Sequence, residues 1–166
     1  MNILVCIKQV PDTTEIKIDP VKHTLIREGV PSIVNPFDAC ALEMAVRLKE
    51  KEGGKVIVIS MGPAQAKNAL KECLAVGADQ AFLVTDRAFG GSDTLATSYI
   101  LSRAIAAVEA KTGEKFDLIF CGKQAIDGDT AQVGPQISEH LDIPVISYAQ
   151  DIKVEGDSVI VQRQFE

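Results

Sequence analysis

The sequence predicts an α/β protein built on a mainly parallel sheet. Three observations carry this. Apolar runs recur over residues 2–7, 55–60, 81–85 and 116–120, each suited to a strand buried on both faces. Helix-like segments alternate with these runs. Glycines punctuate the junctions, at Gly53-Gly54, Gly62, Gly77, Gly113 and Gly122. Four strand-then-helix units in a row predict a three-layer, Rossmann-like sheet covered on both faces by right-handed crossovers.

The elements follow in order. Residues 2–7 (Asn-Ile-Leu-Val-Cys-Ile) form the first strand. Residues 16–18 and 24–26 read as a small hairpin leaving the sheet, turned near Pro20. Asn35-Pro36 opens a helix, with Asn as cap and Pro at the first helical position. Phe37, Ala41, Met44 and Leu48 give it an apolar face, and Gly53-Gly54 stops it. The second strand runs to Ser60, and Gly62-Pro63 turns into a helix ending near Val76. After the third strand, Gly90-Gly-Ser-Asp-Thr94 opens a long helix ending near Gly113, with Ser92 as its cap. The fourth strand leads into Cys121-Gly-Lys-Gln-Ala-Ile-Asp-Gly-Asp-Thr-Ala-Gln-Val-Gly-Pro135, and residues 136–141 read as helix. Residues 145–154 and 158–162 read as extended segments joined by Glu155-Gly156-Asp157. The chain breaks off in strand-like sequence, so a truncated C-terminus is expected, with residues 1–166 forming one nucleotide-binding unit.

Composition bounds the function. Hydrophobic residues make up 46% and charged residues 24%, with net charge −6. That balance disfavours a nucleic-acid surface, which needs clustered Lys and Arg. No apolar run reaches membrane-spanning length and the N-terminus does not resemble a signal peptide, so a cytoplasmic protein is expected. The four cysteines lack metal or disulfide spacing, and at least three are expected to be small buried hydrophobes. His23 and His140 lie near no nucleophile, and no carboxylate pair stands out for acid/base work. A chain without such machinery suits a redox carrier, whose cofactor brings its own chemistry.

The stretch from Cys121 to Pro135 carries the main functional signal. A small-residue turn between a parallel strand and a helix leaves backbone N–H groups without helical acceptors, and the helix dipole adds positive potential. Gly128 is expected to supply a backbone conformation closed to other residues, and Asp129 or Thr130 to cap the helix. Ala131 and Gly134 keep side chains out of the way. Thr94 and Thr97 are three apart, so both hydroxyls can face one ligand. In such sheets ligands lie beyond the carboxyl ends of the strands, where four junctions should converge: residues 6–8, 60–62, 90–94 and 122–134. Neither Gly-x-Gly-x-x-Gly nor Gly-x-x-x-x-Gly-Lys-Ser/Thr occurs, since Gln124 follows Gly122-Lys123. Gly90-Gly-Ser-Asp93 hints at an ATP-pyrophosphatase loop, but it follows the third strand where that enzyme class needs it after the first.

Six ordered motifs bear on the family: Val5-Cys-Ile-Lys-Gln-Val-Pro11, Val34-Asn-Pro-Phe-Asp38, Ala45-Val-Arg-Leu-Lys49, Ser60-Met-Gly-Pro-Ala64, Ala75-Val-Gly-Ala-Asp79 and Gly122-Lys-Gln-Ala-Ile-Asp127. Together, across the whole chain, they resemble the beta subunit of electron-transfer flavoprotein, including its FixA and electron-bifurcating branches. The resemblance implies the adenine-nucleotide alpha-hydrolase-like variant of this fold. It implies a heterodimer with an FAD-carrying alpha subunit, and acyl-CoA dehydrogenase or ferredoxin- or quinone-linked redox partners. It also implies an adenine nucleotide here: AMP in the ordinary branch, or a second FAD that takes a hydride from NADH in the bifurcating one. By motif, Cys6, Asn35, Asp38 and Met61 line the nucleotide, Gln124 adjoins it, and Asp127, Gly128, Asp129, Thr130, Ala131, Gln132, Val133 and Gly134 form the phosphate loop. Gly128 and the Phe89–Thr94 stretch look more like the bifurcating branch, which favours FAD with Thr94 and Thr97 as neighbours. An AMP- or ATP-binding α/β module with a structural or regulatory role is the alternative.

Overall fold

A computed structural model describes residues 1–12 and 31–165. Among them, four strands form one fully parallel sheet: β1 (Asn2–Cys6), β4 (Lys55–Met61), β5 (Gln80–Val84) and β6 (Leu118–Cys121), in the order β5-β4-β1-β6. The strands are the apolar runs of the sequence, and β1 and β4, at the sheet's centre, are its most buried. The chain proceeds from β1 outward through β4 to β5, then returns to place β6 on β1's other side. The order therefore reverses between β1 and β6, which opens a crevice at their carboxyl ends. Cys6 and Cys121 are register partners there.

Side-chain alternation divides the core in two. Ile3, Val5, Val56 and Val58 face α1 (Pro36–Glu52) and α2 (Lys67–Val76). Leu4, Ile57 and Ile59 face α3 (Thr94–Thr112) and α4 (Val133–Leu141). Both faces are covered, as continuous apolar strands require.

Several local expectations are corrected. α1 buries Asp38, Leu42, Ala45, Val46 and Leu48; of the face drawn through Phe37, Ala41, Met44 and Leu48, Leu48 is buried and Ala41 packs against the core, while Phe37 is exposed. A carboxylate sits on the helix's buried face, which an apolar-periodicity reading passes over. Asn35 occupies the cap position of α1, yet its side chain makes no cap hydrogen bond. α3 is capped by Asp93, whose carboxylate accepts from Ala96 N–H at 2.8 Å, while the Ser92 hydroxyl donates to the Phe89 carbonyl. α4 begins at Val133, three residues earlier than expected, with Gln132 at the cap position and no capping side chain. Asp129 and Thr130 therefore do not cap it. Pro135 is tolerated in its first turn because a proline nitrogen there forfeits no helical bond.

Two short strands were not foreseen: β2 (Gln9–Pro11) and β3 (Ser32–Val34) pair antiparallel. The hairpin expected at 16–18 and 24–26, and His23, lie outside the described residues. At the C-terminal end β7 (Ala149–Glu155) and β8 (Ser158–Arg163) form an antiparallel hairpin, so the extended segment starts later than the expected residue 145. Ile152 and Val154 pack against the α1 side of the core. Cys6 and Cys73 are buried, but Cys40 is exposed and Cys121 half-buried, so two of the four cysteines fit the expectation of buried hydrophobes.

Candidate functional site

The four expected junctions do meet. A cleft of about 1180 Å³ opens at the carboxyl ends of β1, β4, β5 and β6, with wall residues from or just after every one of them. Its floor holds Cys6, Met61 and Cys121. One side is the Thr85–Thr94 segment, followed by Thr97 on α3. The opposite side runs from Gly122 to Gly134, and the start of α1 contributes Asn35 and Asp38. Thirteen of the fifteen residues picked from sequence line this cleft: Cys6, Asn35, Asp38, Met61, Thr94, Thr97, Gln124, Gly128, Thr130, Ala131, Gln132, Val133 and Gly134.

Asp127 and Asp129 do not. The Asp127 carboxylate accepts from Lys8 Nζ at 2.7 Å, and that of Asp129 accepts from Gln124 Nε2 at 2.7 Å. Both carboxylates are spent in bracing the loop from outside, which keeps negative charge off the wall an anion would meet. Lys8, Arg87 and Lys123 line the cleft and were not selected from sequence. Their signal was weak, since single cations scattered over three junctions form no cluster.

The loop's backbone is the centre of the chemistry. The N–H groups of Gly128 and Asp129 turn back onto the Ala125 carbonyl. Those of Thr130, Ala131, Gln132, Val133 and Gly134 meet no acceptor among the described residues. Ala131 has φ +53° and is followed by Gln132 in the right-handed region. That alternation turns the N–H groups of Ala131, Gln132 and Val133 toward one side, the geometry of an anion nest, at the positive end of α4. The special conformation expected of Gly128 falls instead on Asp129 and Ala131, with φ +52° and +53°. A Cβ on Gly128 would meet nothing within 4 Å.

Other glycines are dictated by space. A Cβ on Gly122 would lie 2.2 Å from Asp38 Oδ1 and 2.7 Å from the Phe37 carbonyl carbon. Gly134 sits against Cys121, where a Cβ would come within 3.2 Å of its Cβ. These contacts draw α1 and α4 onto the end of β6. Where the two sides of the cleft meet, Thr94 Oγ1 donates to Gln132 Oε1 at 3.3 Å, linking the α3 start to the loop.

Asp38 is the buried charge of the site. Lys8 N–H donates to its Oδ2 at 2.8 Å, and Gly122 and Asn35 lie close enough to favour the ionised carboxylate. Burial nevertheless dominates and raises its pKa from 3.8 to about 6. The Cys6 thiol is pushed well up, first by its hydrogen bond to Cys121 and then by burial. Cys6 is therefore a neutral thiol in this site, with no nucleophilic character.

A parallel sheet with a reversal in strand order, a cleft at that reversal and a backbone anion nest define an α/β protein of the Rossmann-like three-layer class. Within that class the chain belongs to the electron transfer flavoprotein domain family, whose pattern matches residues 22–166. It is 63% identical, over its whole length, to the electron transfer flavoprotein subunit beta of Thermoanaerobacterium thermosaccharolyticum, covering 62% of that protein. It is 59% identical to the caffeyl-CoA reductase-Etf complex subunit CarD of Acetobacterium woodii and 52% identical to protein FixA of Azotobacter vinelandii. It matches both over its whole length, covering 62% and 59% of them respectively. The chain thus spans about three fifths of the length of the curated relatives it matches. No helix among the described residues is long and apolar enough to cross a membrane.

Proposed function

We propose that this chain is the nucleotide-holding part of an electron-transfer flavoprotein beta subunit, and that its cleft holds FAD. The observation that carries the reading is the run of five unpaired N–H groups from Thr130 to Gly134 on the wall of a large cleft. These donors suit phosphate oxygens, and Arg87 and Lys123 add positive charge nearby. A volume of about 1180 Å³ exceeds the usual range for small-ligand sites, roughly 300–1,000 Å³. It leaves room for a dinucleotide, which favours FAD over AMP. Thr97 would offer a hydroxyl from the start of α3, beside Thr94, whose own hydroxyl is bonded to Gln132 and Gln136. A bound flavin supplies the redox chemistry, accepting electrons in a pair and releasing them singly.

This chain's part is to bind, orient and shield. The apolar floor of Cys6, Met61 and Cys121 would shield the bound group, while the loop would fix its phosphate end. An alpha subunit completes the assembly, with dehydrogenases or ferredoxin- or quinone-linked proteins exchanging electrons with it. Half-exposed apolar residues at Val145, Ile146 and Tyr148 offer surface for such a partner.

The test is the cofactor released when the protein, copurified with its alpha subunit, is denatured. Two FAD per heterodimer are expected. One FAD with AMP would overturn the FAD assignment and keep the nucleotide site, whereas no adenine nucleotide beyond the alpha subunit's FAD would overturn both. Gly128→Asp sharpens the point. The added side chain has space, but it brings a carboxylate to the cleft wall. Repulsion of a phosphate at such range is worth about 1 kcal/mol or more, so affinity should fall at least about fivefold. Gly128→Ala should bind as the parent does, and titration calorimetry distinguishes the two.

A further inference from the structure

We propose that Asn35 and Asp38 are positioning residues that aim the Thr130–Gly134 anion nest by tying two separate chain segments, Lys8 after β1 and residues 122–126 after β6, to the first turn of α1. The proposal rests on the nucleotide reading above, and it gives these two side chains a task other than touching the ligand.

The ties are specific. Asn35 is 1% exposed. Its Nδ2 donates to the Gln124 carbonyl at 2.8 Å, and its Oδ1 accepts from Ile126 N–H at 3.1 Å. One side-chain amide thus satisfies both polarities of a turn about ninety residues away, as a strand neighbour would. That turn matters because the Ala125 carbonyl between the two bonds accepts from Gly128 and Asp129 N–H. Asn35 therefore holds the base on which the next turn is folded, and the nest follows directly. Its backbone is committed as well: Asn35 N–H donates to the Lys8 carbonyl, and its own carbonyl accepts from Asp38 and Ala39.

Asp38, one turn further along α1, secures the ends of both strands at the crevice. It accepts from Lys8 N–H after β1, and its Oδ1 packs directly against Gly122 after β6. Gly122 can approach so closely because it has no Cβ. From Lys8 the connection continues outward, its ammonium pairing with Asp127 just before the nest. The nest is thus fixed from the β1 side and the β6 side while its own N–H groups stay uncommitted. Pre-setting donors in this way lowers the ordering cost of binding.

Amide exchange tests the tie without any ligand. In the unliganded protein, Ile126 N–H should exchange at least a hundredfold more slowly than the Thr130–Gly134 amides, and Asn35→Ala should remove most of that protection while β4 amides keep theirs. Comparable exchange at Ile126 and Thr130–Gly134 in the parent protein would overturn the proposal even if the variant failed to fold.

Binding tests the consequence, with AMP and adenosine as probes. Asn35→Ala and Asp38→Asn should weaken AMP at least tenfold while adenosine, which lacks the phosphate, changes less than twofold. An equal loss for both probes would mark a merely structural role and overturn the proposal, as would unchanged AMP binding. If the parent protein binds neither probe, the nucleotide reading fails, and with it the claim that an anion is being aimed. Slow Ile126 exchange would then still establish the tie by itself.

Discussion

Gly122→Ala is expected to cost roughly 3 kcal/mol of stability, the upper part of the range for overpacked sites. The added methyl would fall 2.2 Å from Asp38 Oδ1, 2.7 Å from the Phe37 carbonyl carbon and 2.8 Å from Asp38 N. Two of those atoms are backbone in the first turn of α1, so no side-chain rotation relieves the clash. Either α1 moves off β6, breaking the bonds to Asp38, or β6 shifts against β1. Gly128→Ala, in the same stretch of sequence, should change stability by less than about 0.5 kcal/mol, because its Cβ meets open space and its φ lies outside the left-handed region. Urea unfolding of the two variants beside the parent measures the contrast, and equal midpoints for both variants would contradict it.

The second large effect is a pH dependence centred on Asp38. Its pKa rises from 3.8 to about 6 in the folded chain, and only 7% of the residue is exposed. Between those two values the folded protein binds more protons than the unfolded chain, so this residue makes stability fall as pH rises. The contribution is fully present below pH ~4 and is lost as pH passes through about 6, amounting to about 3 kcal/mol. Other carboxylates superimpose their own slopes, so the measurement is a difference. Asp38→Asn removes this titration and leaves the rest. Its stability relative to the parent should therefore increase by about 3 kcal/mol between pH ~4 and pH ~7. Parallel pH profiles for the two proteins would show that Asp38 ionises freely. Lys8, Cys6 and Cys73 share its surroundings and are present in both.

These two residues also show what was legible in the sequence. The sheet was: Ile3, Leu4, Val5 and Val56, Ile57, Val58, Ile59 leave no amphipathic reading open, and strands buried on both faces announce themselves as unbroken apolar runs. The meeting of the four junctions followed from strand order, and the cleft is lined as topology required. What failed were assignments that a distant partner decides. Asn35 before Pro36 satisfies every local rule for a cap, yet its amide is taken by Gln124 and Ile126. Gly128 looked like the glycine of special conformation, whereas the chain places Asp129 and Ala131 there. Gly122 is required by contact with α1, and nothing near it in sequence signals that contact. The face of α1 was misread for the same reason: a buried Asp38 interrupts the apolar pattern, and its partners come from β1 and β6.

Asp129 and Ala131 hold left-handed backbone that most loops would give to glycine. Each costs about 1–2 kcal/mol relative to right-handed geometry. Glycine would remove that cost, but it would also let the loop wander among many shapes, in the folded protein and in the denatured chain alike. A loop with side chains at these positions has fewer shapes to choose from. The protein thus gives up some equilibrium stability for a narrower conformational ensemble around five unpaired donors. Selection for a higher melting temperature would favour glycine at both positions, and the variants so obtained would be more heat-resistant proteins whose Thr130–Gly134 donors point in less fixed directions.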